Sequence, residues 1–323
     1  MIRKLTAIVA VAAAFVVAAP AALGQDYPNR LIKIIHGFPP GGNVDLISRI
    51  LATEMEKSLG QSIVVEAKPG LAGALAAETV ARADADGYTL LVLPSAHPAY
   101  GALAKNVKFK VVDDFSWISV ASFYPFIICV KADSRFKTLK QLVDEAKSKP
   151  GELKYGSAGV GSILHTTVEL IGSQTKTKFL HVPYRGEAPA LTGVLTGDVD
   201  FIAATTGPVS GRLKSGEFRA LAVTGRTRWP DFPDVPTVAE TILTGFEVIS
   251  WTGMAAPANL PKPIVDRLNS EVRKTLAVPE VKQKLTAMGG DPRPTTPDEM
   301  KALVSRQYET WKKLATEANL SIN

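Results

Sequence analysis

An apolar run, Leu31 to Ile35, leads into His36-Gly37-Phe38-Pro39-Pro40-Gly41-Gly42-Asn43, and a helical pattern follows at once. Val44, Ile47, Leu51, Met55 and Leu59 keep the spacing of one helix face, and Gly60 closes the segment. Strand, glycine-proline turn and helix in immediate succession read as one strand-helix unit, the building block of an α/β domain. The two prolines stiffen the entry, while Gly41 and Gly42 let bare backbone approach a ligand. The first N–H groups of a helix have no partner within it, and the helix dipole favours negative charge there. The turn is therefore either an ordinary strand-to-helix connection or a cradle for an anion, and the rest of the chain has to decide.

The same alternation continues along the chain. Ser62 to Glu66 and Tyr88 to Leu93 read as buried strands around a small-residue helix, Ala74 to Ala83. Such alternation predicts parallel strand-helix-strand units, with ligands beyond the carboxyl ends of the strands. That rule places a loop, Pro94-Ser95-Ala96-His97, beside the first turn. Trp117 to Val130 predicts two strands broken at Tyr124-Pro125. A helix follows from Thr138, then a short strand, Leu153 to Gly156, and the loop Ser157-Ala158-Gly159-Val160-Gly161-Ser162 before another helix. Phe179 to Val182 is a strand ending at Pro183-Tyr184-Arg185-Gly186. A short helix, Ala188 to Leu195, precedes the strand Val199 to Ala203 and a third small-residue loop, Thr205-Thr206-Gly207. Pro230 to Pro236 reads as a surface connection, Phe246 to Ala255 as a strand, and the remainder as helices. The last of these opens on Thr296-Pro297-Asp298-Glu299, a capping box with proline at its first position.

Composition narrows the function. Arg3 and Lys4 followed by apolar Leu5 to Ala18 and Ala22-Leu23-Gly24 read as a signal peptide over residues 1–24, which predicts an exported, periplasmic protein. The full chain of 323 residues carries a net charge of +6, spread without a basic run or a basic-aromatic repeat, so nothing supports nucleic-acid binding. The single cysteine, Cys129, lies in an apolar run and reads as packing. His36, His97, His165 and His181 are dispersed, no zinc-ligand spacing or Walker A motif occurs, and neither a metal nor a cofactor is expected. Tyr155-Gly156-Ser157-Ala158-Gly159 lacks the first glycine of a nucleophile elbow. A serine hydrolase using Ser157 with His165 or His97 is the weaker reading beside a loop that donates hydrogen bonds. Strand, small-residue loop and helix start recur at Phe38 to Asn43 and Ser157 to Ser162, and Thr205-Thr206 adds hydroxyls. Helix starts from two α/β domains facing one cleft suit a carboxylate held by N–H groups.

The chain resembles the Bug family, the periplasmic solute-binding proteins of tripartite tricarboxylate transporters. The residues that carry the likeness are Tyr27-Pro28, Phe38-Pro39-Pro40-Gly41-Gly42 with Asp45, Asp86-Gly87-Tyr88-Thr89-Leu90-Leu91, and Tyr155 to Gly159 with Gly161 and His165. His181 to Gly186, Asp234 to Glu240 and Ala256-Pro257 continue the series, so that the likeness spans the mature chain. It implies a two-lobed, type II periplasmic-binding-protein fold with a hinge and an interlobe cleft. On that reading residues 25–125 with 228–323 form one lobe and 126–227 the other. The chain is then a monomeric receptor without enzymatic activity, which captures a small mono- or dicarboxylate and delivers it to the membrane permease subunits of such a transporter. Service to a sensor kinase is the alternative.

The resemblance maps ligand contacts onto Phe38, Pro39, Pro40, Gly41, Gly42 and Asn43, and from the other lobe onto Ser157, Ala158, Gly161, Ser162, Thr205 and Thr206. Ser95 and His97 stand in a variable loop that departs here from the family's small polar pattern, as His36-Gly37 departs from its usual Val-Pro. Asp45 reads first as compensation of the helix dipole. His165 is balanced between loop support and ligand contact. Tyr184, Phe38 and Trp251 can either stack on an aromatic acid or simply pack. Arg185, where lysine is common in the family, can pair with a distal carboxylate or sit on a solvated turn.

Overall fold

The computed structural model describes residues 27–317; the stretch read as a signal peptide, residues 1–24, lies outside them. The first part alternates β1 (Ile32–His36), α1 (Asn43–Leu59), β2 (Ile63–Ala67), α2 (Ala74–Ala81), β3 (Thr89–Pro94) and α3 (Ala96–Leu103). β4 (Phe115–Lys131) follows, then α4 (Leu139–Ser148), β5 (Lys154–Ser157), α5 (Ile163–Thr175), β6 (Leu180–Pro183) and α6 (Glu187–Thr196). After β7 (Phe201–Thr205), α7 (Thr206–Lys214), β8 (Phe218–Val223) and the single turn α8 (Val238–Thr241), the chain returns through β9 (Ile249–Pro257). It ends in α9 (Lys262–Ala277), α10 (Pro279–Ala287) and α11 (Pro297–Glu317). The predicted capping box is present: Glu299 Oε2 accepts from Thr296 N at 2.7 Å and Thr296 Oγ1 from Glu299 N at 3.2 Å.

β4 organises the molecule. Its first part, Phe115 to Pro125, runs antiparallel to β9 at one side of a sheet ordered β2-β1-β3-β9-β4. From Phe126 onward the same strand lies between β7 and β8, and β7 continues to β5 and β6. The predicted break at Tyr124-Pro125 is thus a change of partner within one continuous strand. Proline cannot donate to a ladder, and it stands where the ladder is handed over. β1-β2, β1-β3, β5-β6 and β5-β7 are parallel, as the alternation requires.

Each half-sheet is covered on both faces, because successive residues of a strand point to opposite sides. Ile34, Leu90, Val92 and Met254 pack under α1, α9 and α10, while Ile35, Leu91, Leu93 and Trp251 pack against α2 and α11. In the second half Ile128, Val130 and Phe201 meet α4 and α5, whereas Ile127, Cys129 and Ile202 meet α6 and α7. Cys129 is fully buried there, and burial pushes its thiol well above the usual range. The stretch Pro230 to Pro236, expected on the surface, is flanked by buried Trp229 and contributes Phe232 and Val235 to the second half's packing. Val238 and Phe246 pack there too. A second crossing lies beside the first: Thr224 N donates to Phe126 O at 2.9 Å, Thr224 Oγ1 accepts from Phe126 N at 2.8 Å, and Val248 N donates to Thr224 O at 2.9 Å.

Candidate functional site

β1 and α1 are joined by the turn that opened the sequence argument. Gly42 is the N-cap of α1 and has no side chain with which to satisfy the first helical N–H groups. Gly42, Asn43 and Val44 therefore bring an uncapped helix start to the wall of a partly open cavity, with Phe38, Pro39 and Pro40 beside them. Asn43 is 5% exposed; its Nδ2 makes no well-formed hydrogen bond among the described residues and lies near the Tyr124 phenol oxygen.

The facing wall comes from the second half of the molecule: Ala158, Ser162, Ile163 and Leu164 at the start of α5, Glu187 and Ala188 at the start of α6, and Thr205 before α7. Ser162 caps α5 by accepting from His165 N at 3.3 Å, which leaves its hydroxyl proton to donate. Tyr124, from the strand where the ladder changes partner, forms part of the floor with Pro94 and Ala96. The cavity's water-accessible volume is about 60 Å³. Since one water needs roughly 10–15 Å³ by that measure, it has room for about four to six waters, or for one small organic acid.

The two walls touch around this cavity. Ser210 Oγ of α7 donates to Ala287 O of α10 at 3.4 Å. A Cβ placed on Gly207 would lie 2.8 Å from Asn43 Oδ1, and one on Gly186 would lie 2.8 Å from the Pro39 ring. Gly186 has a φ of +120°. Its glycine therefore answers both to backbone conformation and to the close approach of the opposite wall.

Several sequence-predicted residues lie elsewhere. Gly41 N donates to Asp45 Oδ2 at 3.0 Å and is off the cavity. His97 is a correction: the expected loop is the start of α3, and His97 is buried against Phe109, Phe115 and Trp117 with Nε2 bonded to Val111 O at 2.9 Å. Ser95 bonds Ser250 Oγ at 2.7 Å and opens on a separate shallow groove between α5 and α11. Ser157 is fully buried, with Oγ 2.6 Å from His181 Nε2 and within bonding distance of Gly159 N. Its serine-histidine contact involves neither predicted histidine, and its burial gives a substrate carbonyl no approach. Gly161 N donates to His165 Nδ1 at 3.3 Å, and the His165 ring stacks on His181 at 4.2 Å between centroids. That places His165 in loop support. Tyr184 is half-buried and packs over Gly193 and Gly156 at the edge of the core, and Arg185 is exposed on its turn. Trp251 is buried and donates its indole N–H to Gln307 Oε1 at 2.8 Å. Thr206 is buried beneath Gly289, off the cavity.

Two residues gain roles the sequence did not reveal. Asp45 is 3% exposed and ties the turn together, with Oδ1 on His36 Nε2 at 3.1 Å and both oxygens on Arg49 Nε at 3.1 Å. Burial alone would raise its pKa, but the bonds from Arg49 and Gly41 outweigh that and hold it below the ordinary carboxylate value. Glu187 accepts from Thr205 N at 2.5 Å and from Thr205 Oγ1 at 2.6 Å, so Thr205 directs both its donors at a neighbouring side chain. Burial pushes Glu187 up to about 7 against the opposing pull of those two bonds.

Residues 47–320 match the family model described as the tripartite tricarboxylate transporter family receptor. The chain belongs to that family. Among solved structures it is similar to the periplasmic binding protein BugD, at 31% identity over 91% of this chain and 99% of that one, with a TM-score of 0.86. An R. palustris protein determined with adipate matches at 31% identity, covering 92% and 99% of the two chains, with a TM-score of 0.87. MatC of Rhodopseudomonas palustris, with bound malate, matches at 32% identity over 89% and 99%, with a TM-score of 0.84. The fold is accordingly the two-lobed one of periplasmic binding proteins, and the family is one of periplasmic solute-binding receptors rather than enzymes.

His97 also gives the receptor a specific acid sensitivity. Burial lowers its pKa to about 4, with the Val111 carbonyl acting the other way. In the unfolded chain it titrates near 6.5, so between about pH 6.5 and 4 the unfolded state binds the proton and the folded state does not. Stability falls as pH drops through that window. Melting curves from pH 7 to 4 are expected to show a steeper loss for the natural protein than for His97→Phe; equal slopes would remove His97 from the account.

Proposed function

We propose that this receptor binds a small carboxylate in the cavity and delivers it to the membrane permease of a tripartite tricarboxylate transporter. The observation that carries the reading is the cavity's chemistry: helix starts from both walls converge on it, yet its lining contains no lysine, arginine or histidine. An anion there is held by N–H dipoles and uncharged donors. Asn43 Nδ2 and the Ser162 hydroxyl are the side-chain donors placed to complete the shell. The bound adipate and malate of the two R. palustris neighbours support a carboxylate. Export through the signal peptide, residues 1–24, supplies the compartment.

Ligand capture proceeds by closure of the two lobes about the paired crossings at Pro125-Phe126 and Thr224 to Ile249. The packing of Trp229, Val238 and Phe246 favours a second lobe of residues 126–248, with residues 27–125 and 249–317 in the first. Closure brings both walls onto the ligand and changes the surface offered to the permease. The test is a panel of mono- and dicarboxylates screened by thermal shift on the mature protein, followed by calorimetric titration of those that stabilise it. Stabilisation by one chemical subset is expected, and a panel without any effect rejects the carboxylate reading.

A further inference from the structure

The cavity has a polarity that its carboxylate-binding role does not require. On the α1 wall stand the uncapped helix start and Asn43 Nδ2, a buried donor that makes no well-formed hydrogen bond and has the Tyr124 phenol beside it. On the α6 wall stands Glu187, 9% exposed, the one side chain of the lining that can carry a charge near neutrality. The only other titratable group in the lining is the Tyr124 phenol on β4, held to Thr252 Oγ1 at 3.1 Å. Both Glu187 oxygens accept from Thr205, through donors that carry no positive charge. Each carboxylate oxygen can accept again, so acceptor capacity is left over on a side chain that lines the ligand's space.

Resting on the carboxylate reading above, we propose that Glu187 sets the receptor's specificity: the part of the ligand that meets it must donate a hydrogen bond. The ligand class is then a carboxylic acid carrying a hydroxyl or ammonium group at its other end, lying across the cavity from the donors of the α1 wall to the acceptor of the α6 wall. A donor aimed at a buried carboxylate makes a charge-assisted bond. A second carboxylate in that place faces the like charge of a buried side chain, which strongly disfavours both groups staying ionised. A dicarboxylate therefore enters only with one proton taken up from solvent and shared between its carboxylate and Glu187.

Succinate, γ-hydroxybutyrate and γ-aminobutyrate share a four-carbon chain and differ at the end that decides the matter. Titrated calorimetrically into the mature protein at pH 8, γ-hydroxybutyrate or γ-aminobutyrate is expected to bind about tenfold or more tighter than succinate, the worth of one hydrogen bond to a charged group. Repeating the succinate titration in buffers of different ionisation heat is expected to show uptake of close to one proton. Glu187→Gln keeps the side-chain shape and an acceptor for Thr205 N. In that variant the uptake vanishes and the preference moves toward succinate by about tenfold or more. A melting curve confirms that the variant folds. Acids that bind the natural protein without this preference, or a preference unchanged in Glu187→Gln, overturn the role of Glu187 while leaving the carboxylate reading intact. Failure of these acids and of the wider panel to bind the natural protein at all overturns both.

Discussion

Asp45→Ala is expected to lower folding stability by about 2–4 kcal/mol and to weaken ligand binding by roughly 100-fold. The carboxylate is the one group that links the strand, the turn and the helix of the first cradle. His36 at the end of β1 is fully buried, and its Nδ1 already has no partner, so losing Asp45 leaves the whole ring unbonded in the core. Gly41 N loses its acceptor at the same time. Arg49 contributes less than its geometry suggests, because its side chain is 55% exposed and water screens the pair. Asp45→Asn separates the two effects. It retains an oxygen for Gly41 N but gives up the charge that Arg49 meets, and an intermediate loss is expected. Urea denaturation reads the stability and calorimetric titration the affinity. An alanine variant with unchanged affinity would show that the turn holds its shape without Asp45, and the cradle would have to be explained by Gly42 and the prolines alone.

The importance of this carboxylate was only half legible in the sequence. An acidic residue in the first turn of a helix is ordinary compensation of the dipole, and Asp45 occupies that position. What the sequence could not show is that His36, three residues before the first proline, folds back onto it. The pattern of strands was readable because buried parallel strands announce themselves as apolar runs between turns. Where partners change, local pattern fails. Tyr124-Pro125 looked like an end and is a handover, since a proline interrupts one ladder bond without bending the strand out of the sheet. Pro94-Ser95-Ala96-His97 looked like a loop because two of the residues around it are proline, at positions 94 and 98, yet proline is tolerated in a helix's first turn. His97 was thereby carried from a supposed cleft into the core.

Glu187 shows the same limit from the other side. Sequence pattern starts the short helix only at Ala188 and gives Glu187 no role. Its side chain is tied to Thr205, at the end of a different strand, and the opposite wall meets the preceding residue, Gly186, at Pro39. Neither contact leaves a local trace. Among the small-residue loops, the helix starts at Asn43 and Ser162 and the residue Thr205 do reach one cavity, because parallel strand-helix units deliver all their helix starts to the same edge of a sheet. The side chains on those loops then divide between lining the cavity and holding the loops, and that division is a matter of three-dimensional partners.

Ala158→Leu tests whether the cavity is the binding site at all. Ala158 lies on the α5 wall, and the neighbouring lining includes Phe38, Pro94, Ile163 and Leu164. A leucine there adds three carbons to a space of about 60 Å³, which leaves no room for a ligand but offers the new side chain apolar contacts. Burying those carbons is worth about 2 kcal/mol, reduced by whatever strain the tighter fit imposes. The melting temperature of the unliganded variant is therefore expected to stay level or rise, while affinity for every carboxylate falls by roughly 100-fold or more. Ala158→Ser, with one added atom, is expected to bind within a few-fold of the natural protein. The combination matters more than either result. Lost affinity with lost stability would describe only a damaged fold, whereas lost affinity in a chain that melts no lower isolates the cavity. Natural affinity in Ala158→Leu would move the ligand out of it, and the groove between α5 and α11, where Ser95, Thr166 and Trp311 meet, would be the next place to look.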